Sequence, residues 1–230
     1  MLHLVRIMKY YAIIVAGGSG SRMNAAIPKQ FLLLDDKPVL IHTIEAFYRS
    51  DLSPEIILVL PSSYHAYWKE ICIQYDFKIS HTVISGGKER FFSVKNALDI
   101  VPDDSIVAIH DAVRPVVSSD LIRRCYSEAV RAGTAIPVVE SRDSLRKKED
   151  DTSRAIARDE ILIVQTPQVF QSRLLKKAYL QEYTPAFTDD ASVAEKAGIS
   201  IHTTEGDHKN LKITFPQDLA IASLFIKEMI

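Results

Sequence analysis

The clearest indication of the fold is the stretch Lys9-Tyr-Tyr-Ala-Ile-Ile-Val-Ala-Gly-Gly-Ser-Gly-Ser-Arg-Met23. Its first half contains the apolar, β-branched run Tyr11–Val15, which predicts a buried strand of a parallel sheet. Its second half begins at Ala16 and is rich in glycine. Glycines at the end of such a strand let backbone N–H groups approach an anion closely. The stretch therefore predicts an α/β domain with an anion site at the end of its first strand.

Short apolar runs alternate with stretches of helical period along the rest of the chain. This alternation predicts an α/β fold with a mostly parallel sheet. The further strands expected are Ile56–Leu60, Thr82–Ile84, Ile106–Ile109, Ala135–Val139 and Ile161–Val164. The helices expected are Val39–Tyr48, Ser62–Gln74, Arg90–Ile100, Ser119–Ala132, Arg173–Tyr179, Ala191–Ala197 and one from Pro216 to the C-terminus.

One densely charged segment departs from this pattern. It contains Arg146-Lys-Lys-Glu-Asp-Asp151 and has no apolar face with which to pack on a core. We expect an arm over residues 140–157 that leaves the body, with a solvated loop as the alternative. The whole chain, residues 1–230, is expected to form one domain.

Charge and composition exclude several classes of protein. A formal net charge of -1 gives no long-range attraction to nucleic acid or to an anionic membrane, so neither is expected as a partner. The N-terminus lacks the pattern of a secretory signal, and no apolar run is long enough to span a bilayer. Cys72 and Cys125 show no metal-ligand spacing. Both are expected to be buried thiols in a reducing cytoplasm.

Two familiar nucleotide-binding motifs do not fit the glycine-rich turn. A dinucleotide fingerprint beginning at Gly18 requires a third glycine where Met23 stands, and a P-loop requires Gly-Lys-Ser/Thr, which is absent. A glycine-rich turn alone is about as often a simple connection as a ligand site. Here Arg22 and Lys29 follow the turn, and two cations in that place can neutralise a polyphosphate.

The turn and the segment after it resemble a known signature. Gly18-x-Gly-x-Arg-Met23 followed by Pro28-Lys-Gln-Phe31 is similar to the sugar-phosphate nucleotidyltransferases, and specifically to the methylerythritol-phosphate cytidylyltransferases. Four further segments match that family in the same order. They are Gly86–Ser93, His110–Pro115, Gln165–Phe170, and Thr188–Ser192 together with Gly206–Asp218. Five ordered motifs over nearly the whole chain are far more specific than one turn.

The resemblance implies a fold, a reaction and partners. The fold is a three-layer, Rossmann-like nucleotide-diphospho-sugar transferase fold with a protruding dimerisation arm. The reaction is transfer of a cytidylyl group from CTP to 2-C-methyl-D-erythritol 4-phosphate. A ribitol-phosphate cytidylyltransferase and a non-catalytic CTP-binding module are the alternatives. The implied partners are CTP, a polyol phosphate, Mg²⁺ and a second copy of the chain in a homodimer with arm exchange.

The same resemblance assigns roles to individual residues. The catalytic cations are Arg22, Lys29 and Lys212. The CTP site comprises Ala16, Gly17, Gly18, Gly20, Gly87, Arg90, Ser93, Asp111 and Ala112. The acceptor site comprises Asp111, Arg114, Ser144, Arg158, Thr166, Thr188 and Lys212.

Asp111 also has an argument of its own. It ends a buried apolar strand, and ligands collect at the carboxyl ends of strands in open α/β sheets, so Asp111 is well placed to hold the divalent ion. A turn or cap carboxylate is the alternative, which the nearby Arg114 disfavours. His110 is interpreted as a structural histidine. Two positions depart from the family: Lys88 stands where several relatives have aspartate, and Ser144 replaces a threonine of some relatives.

Overall fold

The computed structural model describes residues 8–18 and 27–228, so the expected site residues Gly20 and Arg22 lie outside the described part. The strands are β1 Lys9–Val15, β2 Leu33–Leu34, β3 Lys37–Pro38, β4 Glu55–Leu60, β5 Thr82–Ser85, β6 Ser105–Asp111, β7 Thr134–Glu140, β8 Leu145–Glu149, β9 Thr152–Ile156, β10 Leu162–Val164, β11 Gln168–Gln171 and β12 Thr203–Glu205. The helices are α1 Val39–Tyr48, α2 His65–Gln74, α3 Arg90–Leu98, α4 Ser119–Ala132, α5 Ser172–Ala178, α6 Asp190–Lys196 and α7 Pro216–Lys227. Within these two ranges, no helix has the length and apolarity needed to cross a bilayer.

An eight-stranded sheet forms the centre of the described molecule. Its hydrogen-bonded order is β10-β7-β11-β6-β1-β4-β5, and β12 pairs with β7 in addition. β1 is parallel to β4 and β6, β4 is parallel to β5, and β12 is parallel to β7. β11 is antiparallel to both of its neighbours, and β10 is antiparallel to β7. The prediction of an α/β fold with a mostly parallel sheet is confirmed.

Helices cover both faces of this sheet because its central strands are apolar on both sides. Ile14 and Leu58 point to the face covered by α1, α2 and α4. Ile13 and Val59 point to the opposite face, which α3, α5 and α6 cover. Successive side chains of a strand alternate between faces, so a strand buried on both sides reads as a continuous apolar run. The result is the three-layer arrangement that the resemblance implies.

Three short features are absent from the prediction: β11, β12 and the hairpin of β2 and β3. None of these strands exceeds four residues, which is too few for a hydrophobic period to emerge. β11 begins at Gln168, a residue type that does not suggest a buried strand. Gln168 is nevertheless 1% exposed, because its amide donates to Asp189 at 2.8 Å and accepts from the backbone N–H of Ala191 at 2.9 Å.

The expectation of two buried thiols is right for Cys125 and wrong for Cys72. Cys125 is fully buried in α4, and this burial raises its pKa to about 12. Cys72 is only partly buried. The physical reason is that α2 turns only Trp68 and Ile71 fully into the core, and Cys72 lies beside that narrow stripe.

The charged segment is a hairpin. β8 and β9 pair with each other in antiparallel register and form a separate two-stranded sheet. Their side chains are exposed except Leu145 and Ile156, which face each other at the base and are partly covered. The segment expected to be an arm therefore contains a hairpin of regular strands, and its charged side chains are solvated.

Ser118 provides the N-terminal cap of α4, a helix of 14 residues. Its side-chain oxygen accepts a hydrogen bond from the backbone N–H of Leu121 at 3.2 Å. We predict that Ser118→Ala lowers the free energy of unfolding by about 1 kcal/mol, since the helix loses this acceptor. Urea denaturation measures the change. Ser119→Ala is the matched control, because the neighbouring Ser119 is exposed. An equal loss in both variants would contradict the capping role.

Candidate active site

The loops that follow β1, β5 and β6 meet at one edge of the sheet. Val15 at the end of β1 lies in register with Asp111 at the end of β6. Ladder-like hydrogen bonds continue past these ends: Ala16 N–H donates to the Val59 carbonyl at 2.9 Å, and Ala112 N–H donates to the Val15 carbonyl at 3.1 Å. The first glycine-rich turn and Asp111, which are remote in sequence, are therefore neighbours at the carboxyl ends of parallel strands.

A cavity of about 380 Å³ opens between these loops. Its lining is Val15, Ala16, Gly17, Gly18, Lys29, Gln30, Gly87, Lys88, Glu89, Arg90, Ser93, Asp111, Ala112, Val113, Lys212 and Thr214. All the described residues of the expected CTP site are in this lining. Lys29 and Lys212, the two described residues among the expected catalytic cations, are there as well.

Side chains beneath the two glycine turns fix their shape. Gln30 Nε2 donates to the carbonyl of Ala16 at 2.8 Å. Ser93 Oγ accepts from the backbone N–H of Gly87 at 3.0 Å. A Cβ at Gly87 would lie 2.3 Å from the Cβ of Phe92, so the second turn packs on α3 more closely than any other residue type allows.

Asp111 and Lys212 form an ion pair in the cavity. Lys212 Nζ lies 2.9 Å from Asp111 Oδ2, and Arg114 Nε lies 3.5 Å from the same oxygen. Burial on its own would raise the pKa of Asp111. The positive charges of Lys212, Arg90 and Arg114 outweigh burial and hold that pKa far below its usual range. Asp111 is therefore ionised at neutral pH.

Lys29 is tied to the chain segment that carries Lys212. Its Nζ donates to the carbonyl of Ile213 at 2.9 Å. Lys29 begins a 3₁₀ turn whose Phe31 is buried and contacts the rings of Tyr64 and Tyr67, with centroid distances of 5.6 and 5.1 Å. The aromatic packing anchors the turn, so the two lysines are held at one side of the cavity by a short, defined connection.

His110 directly precedes Asp111 in the chain. It is buried and stabilises the loop that follows. Its Nε2 donates to the carbonyl of Arg114 at 3.1 Å, so its Nδ1 accepts from the Thr166 hydroxyl, also at 3.1 Å. Thr166 Oγ1 in turn accepts from the backbone N–H of Asp111 at 3.1 Å. Burial lowers the pKa of His110 to about 4, so the ring is neutral at pH 7. The network uses this single tautomer.

Two residues of the expected acceptor site lie beside the cavity rather than on its wall. Arg114 is buried and donates to the carbonyl of Asn210 at 2.7 Å. Thr166 is 5% exposed, and its hydroxyl is used by the His110 network. The structure therefore brings both residues to the site, where they support Asp111 from behind.

Three further acceptor residues lie outside the cavity lining of their own chain. Ser144 and Arg158 flank the β8–β9 hairpin and are exposed, and the guanidinium of Arg158 donates to the carbonyl of Arg142 at 3.4 Å. Thr188 is exposed too, and its backbone N–H donates to Ser192 Oγ at 3.1 Å. The structure of one chain does not bring these three residues together with Asp111 and Lys212.

A Mg²⁺ ion at Asp111 would need further ligands from the phosphates of a nucleotide. Among the described residues, no group of three or more His, Cys, Asp or Glu side chains could hold a metal ion. Mg²⁺ in nucleotide enzymes is usually held by one or two carboxylates together with substrate phosphates. Asp111 is ionised and lines the cavity, so it can supply one such carboxylate.

Comparisons with known proteins agree with this geometry. The family model for 2-C-methyl-D-erythritol 4-phosphate cytidylyltransferase matches residues 10–228. The chain belongs to this cytidylyltransferase family. A relative of that name from Bacteroides thetaiotaomicron is 49% identical over 219 residues, which cover 95% of this chain and 100% of the relative.

Solved structures of the cytidylyltransferase family share the fold. The 4-diphosphocytidyl-2C-methyl-D-erythritol synthase of Anaerococcus prevotii superposes with a TM-score of 0.80 at 26% identity and covers 96% of each chain. The cytidylyltransferase of Thermus thermophilus gives a TM-score of 0.78 at 28% identity and covers 96% of this chain and 100% of that one. The family resemblance and its fold class are confirmed.

Some supporting residues of this cytidylyltransferase site are not among the sequence predictions. Asn210 is fully buried, and its Nδ2 donates to the carbonyl of Thr166 at 2.8 Å. Asp190 is fully buried and accepts from Arg90 at 2.6 Å. Both residues, like Gln30, lie inside motifs that carry the resemblance. Their place inside these motifs could have singled them out, but a motif does not show which of its side chains point inward.

We predict that His110 stays unprotonated in the metal-free protein until the pH falls to about 4. Its ordinary pKa is about 6.5, so the unfolded chain takes up a proton first as the pH falls. The free energy of unfolding should therefore decrease between about pH 6.5 and pH 4, with no loss from this group above about pH 7. NMR titration of the imidazole measures the pKa. A midpoint near its ordinary value would contradict the buried, neutral network.

Proposed function

We propose that this chain transfers a cytidylyl group from CTP to 2-C-methyl-D-erythritol 4-phosphate. The products are 4-diphosphocytidyl-2-C-methyl-D-erythritol and pyrophosphate, a step of isoprenoid precursor biosynthesis. Family membership and relatives named for this activity support the proposal. The observation that carries it is the cavity where two glycine turns, Lys29, Lys212 and an ionised aspartate converge.

The reaction requires two anions to meet. An oxygen of the acceptor phosphate attacks the α-phosphorus of CTP in line, and pyrophosphate leaves. Repulsion and developing negative charge dominate the barrier, so the protein acts by positioning and by cationic stabilisation. Lys29 and Lys212 supply positive charge at the cavity, and the resemblance adds Arg22. The acceptor phosphate is already ionised at neutral pH, so the chain needs neither a covalent nucleophile nor a general base.

In this proposal each glycine turn binds a different part of the nucleotide. We assign the triphosphate to the turn of Ala16 to Gly18, where no atom of the described residues lies within 4 Å of the place that a Cβ of Gly18 would occupy. Glycine has no side chain to shield the backbone, so N–H groups of this turn can face the phosphates directly. We assign the nucleoside to the turn at Gly87, with Arg90 and Ser93, following the family resemblance.

We propose that Asp111 holds the divalent ion that accompanies CTP. A bound Mg²⁺ supplies neutralisation of phosphate charge. Before the substrates bind, the ion pair with Asp111 keeps the Lys212 ammonium group inside the cavity. Thr166, which is itself bonded to His110, holds the backbone N–H of Asp111 in place.

An assay with two acceptors tests the reaction. Purified protein receives CTP, Mg²⁺ and either 2-C-methyl-D-erythritol 4-phosphate or D-ribitol 5-phosphate, and pyrophosphate release is measured. We expect release with the methylerythritol compound and much less with the ribitol compound. Release with ribitol phosphate alone would overturn the acceptor assignment. No release with either would overturn the assignment of transfer.

We predict that Lys29→Ala lowers kcat by about 10²–10³ and weakens CTP binding much less. The reason is that a cation directed at transition-state charge acts mainly on the barrier. Steady-state kinetics at varied CTP measure both quantities. Lys69→Ala, which removes an exposed lysine on α2, is the matched control. A raised KM for CTP with near-normal kcat would show that Lys29 only binds substrate.

We propose further that the chain forms a homodimer that exchanges its arms. The arm has almost no contact surface on its own body, and β10 beside it exposes three apolar side chains, Leu162, Ile163 and Val164, at 47%, 47% and 41%. A twofold partner would cover this surface. It would also deliver Ser144 and Arg158 to the neighbouring cavity, which they do not line in their own chain.

Complementation between inactive variants tests the exchange. Lys29→Ala protein and Arg158→Ala protein are mixed under conditions that let subunits exchange. If Arg158 acts in the partner's site, each mixed dimer has one intact site, so random mixing should restore about a quarter of wild-type activity. If Arg158 acts within its own chain, every site keeps a defect. No recovery, with subunit exchange verified independently, would refute the shared site.

We also propose that the whole chain acts as one domain in the cytoplasm, without a nucleic-acid or membrane partner. The net charge of -1 supports the absence of polyanionic partners. Cys72 and Cys125 are both free thiols, which fits a reducing compartment.

A further inference from the structure

A buried carboxylate lies behind the cavity wall and has no part in the reaction described above. Arg90 NH2 donates to Asp190 Oδ2 at 2.6 Å, and the hydroxyl of Tyr179 donates to Asp190 Oδ1 at 2.6 Å. The Asp190 side chain is 0% exposed, whereas Arg90 lines the cavity. With both of its oxygens engaged, this carboxylate is a fixed attachment point for the guanidinium.

The backbone that carries Asp190 is held as firmly as its side chain. Asp189 accepts from the backbone N–H of Ser192 at 2.9 Å and caps α6. Gln168 of β11 connects this cap to the central sheet, because its amide bonds both Asp189 and the N–H of Ala191. Asp190 therefore has little freedom to follow a moving arginine.

Tyr179 connects the Asp190 carboxylate to α3, the helix that carries Arg90. Its ring stacks on Phe91 of α3, with centroids 4.7 Å apart and planes at 22°. Phe91 also stacks on Phe187 at 5.5 Å. Burial raises the pKa of Tyr179 well above its ordinary value, so the hydroxyl keeps its proton. One residue thus packs α3 against α5 and orients the carboxylate that holds Arg90.

We propose that Asp190 is a positioning residue for the nucleotide: it fixes the Arg90 guanidinium on the cavity wall before CTP binds, with Tyr179 holding the carboxylate. This inference rests on the proposed function, in which Arg90 contacts the nucleotide. A long, flexible side chain that is fixed in advance loses less freedom when a ligand arrives. Guanidinium carries five N–H donors, so a bond to Asp190 leaves others for CTP. Asp190 acts on CTP affinity, in contrast to Lys29, which acts on the transfer rate.

The test uses isosteric variants. Asp190→Asn removes the charge and keeps the shape, and Tyr179→Phe removes only the hydroxyl and keeps the stacked ring. We expect Asp190→Asn to raise the Kd for CTP, measured calorimetrically without acceptor, by about tenfold, because one charge-assisted hydrogen bond is lost. Tyr179→Phe should raise it by less. The KM for CTP should follow the Kd, and kcat should change by less than about twofold.

The control removes a hydroxyl from the same aromatic cluster. The ring of Tyr183 contacts Phe91 and Phe92 at 5.8 and 5.4 Å, but its hydroxyl bonds nothing in residues 8–18 and 27–228. Tyr183→Phe should leave the Kd for CTP unchanged. A rise in Kd equal to that of Tyr179→Phe would mean that the cluster, rather than the bond to Asp190, is responsible. That result would overturn the proposal.

The same substitution in a protein that lacks Arg90 distinguishes positioning of Arg90 from general support of the fold. In Arg90→Met protein, Asp190→Asn should add no further loss of CTP affinity, since its target is gone. An undiminished further loss would overturn the proposal, as would a normal Kd for Asp190→Asn in the wild-type background. If Asp190→Asn does not fold, Tyr179→Phe in both backgrounds carries the same test. Because CTP binding is read without transfer, the result stands apart from the two-acceptor assay of the proposed function.

Discussion

The ion pair between Asp111 and Lys212 is the interaction on which the site depends. Two anionic substrates can meet only where cations are already in place, and a flexible lysine does not stay in a cavity without an anion to hold it. Asp111 provides that anion because it ends β6 and its backbone N–H is bound by Thr166. The low pKa of Asp111 keeps the pair charged at neutral pH.

Two other positive groups at the cavity are held in a comparable way. Lys29 is bound by the carbonyl of Ile213, and Arg90 is bound by the buried Asp190. These acceptors come from different parts of the chain, and the sheet with its two helical layers brings them together. The scaffold therefore fixes the cations before either substrate binds, which is the arrangement that electrostatic catalysis requires. The charged arm lies outside this scaffold, and its exposed surface is the part that the proposed arm exchange would cover.

The sequence predicted the long elements and the strand-end residues well, for a physical reason. β1 is a continuous apolar run and α4 has a full amphipathic period, so local pattern alone determines both. The position of Asp111 could be predicted because it ends a buried strand, and the carboxyl ends of parallel strands meet at one edge of the sheet. β11 could not be predicted, since four residues carry no period and its pairing depends on distant strands. Asp190 was missed for a related reason: two adjacent aspartates look alike in sequence, and only packing shows that one of them faces inward.

In the proposed reaction, Asp111 organises cytidylyl transfer by holding Lys212 and the divalent ion. The rate of pyrophosphate release by Asp111→Asn, with CTP, 2-C-methyl-D-erythritol 4-phosphate and Mg²⁺ at saturation, tests it most directly. The amide keeps the shape of the side chain and loses its charge, so the rate should fall by about 10²-fold or more relative to wild type. A wild-type rate from the Asp111→Asn protein would contradict this role of Asp111.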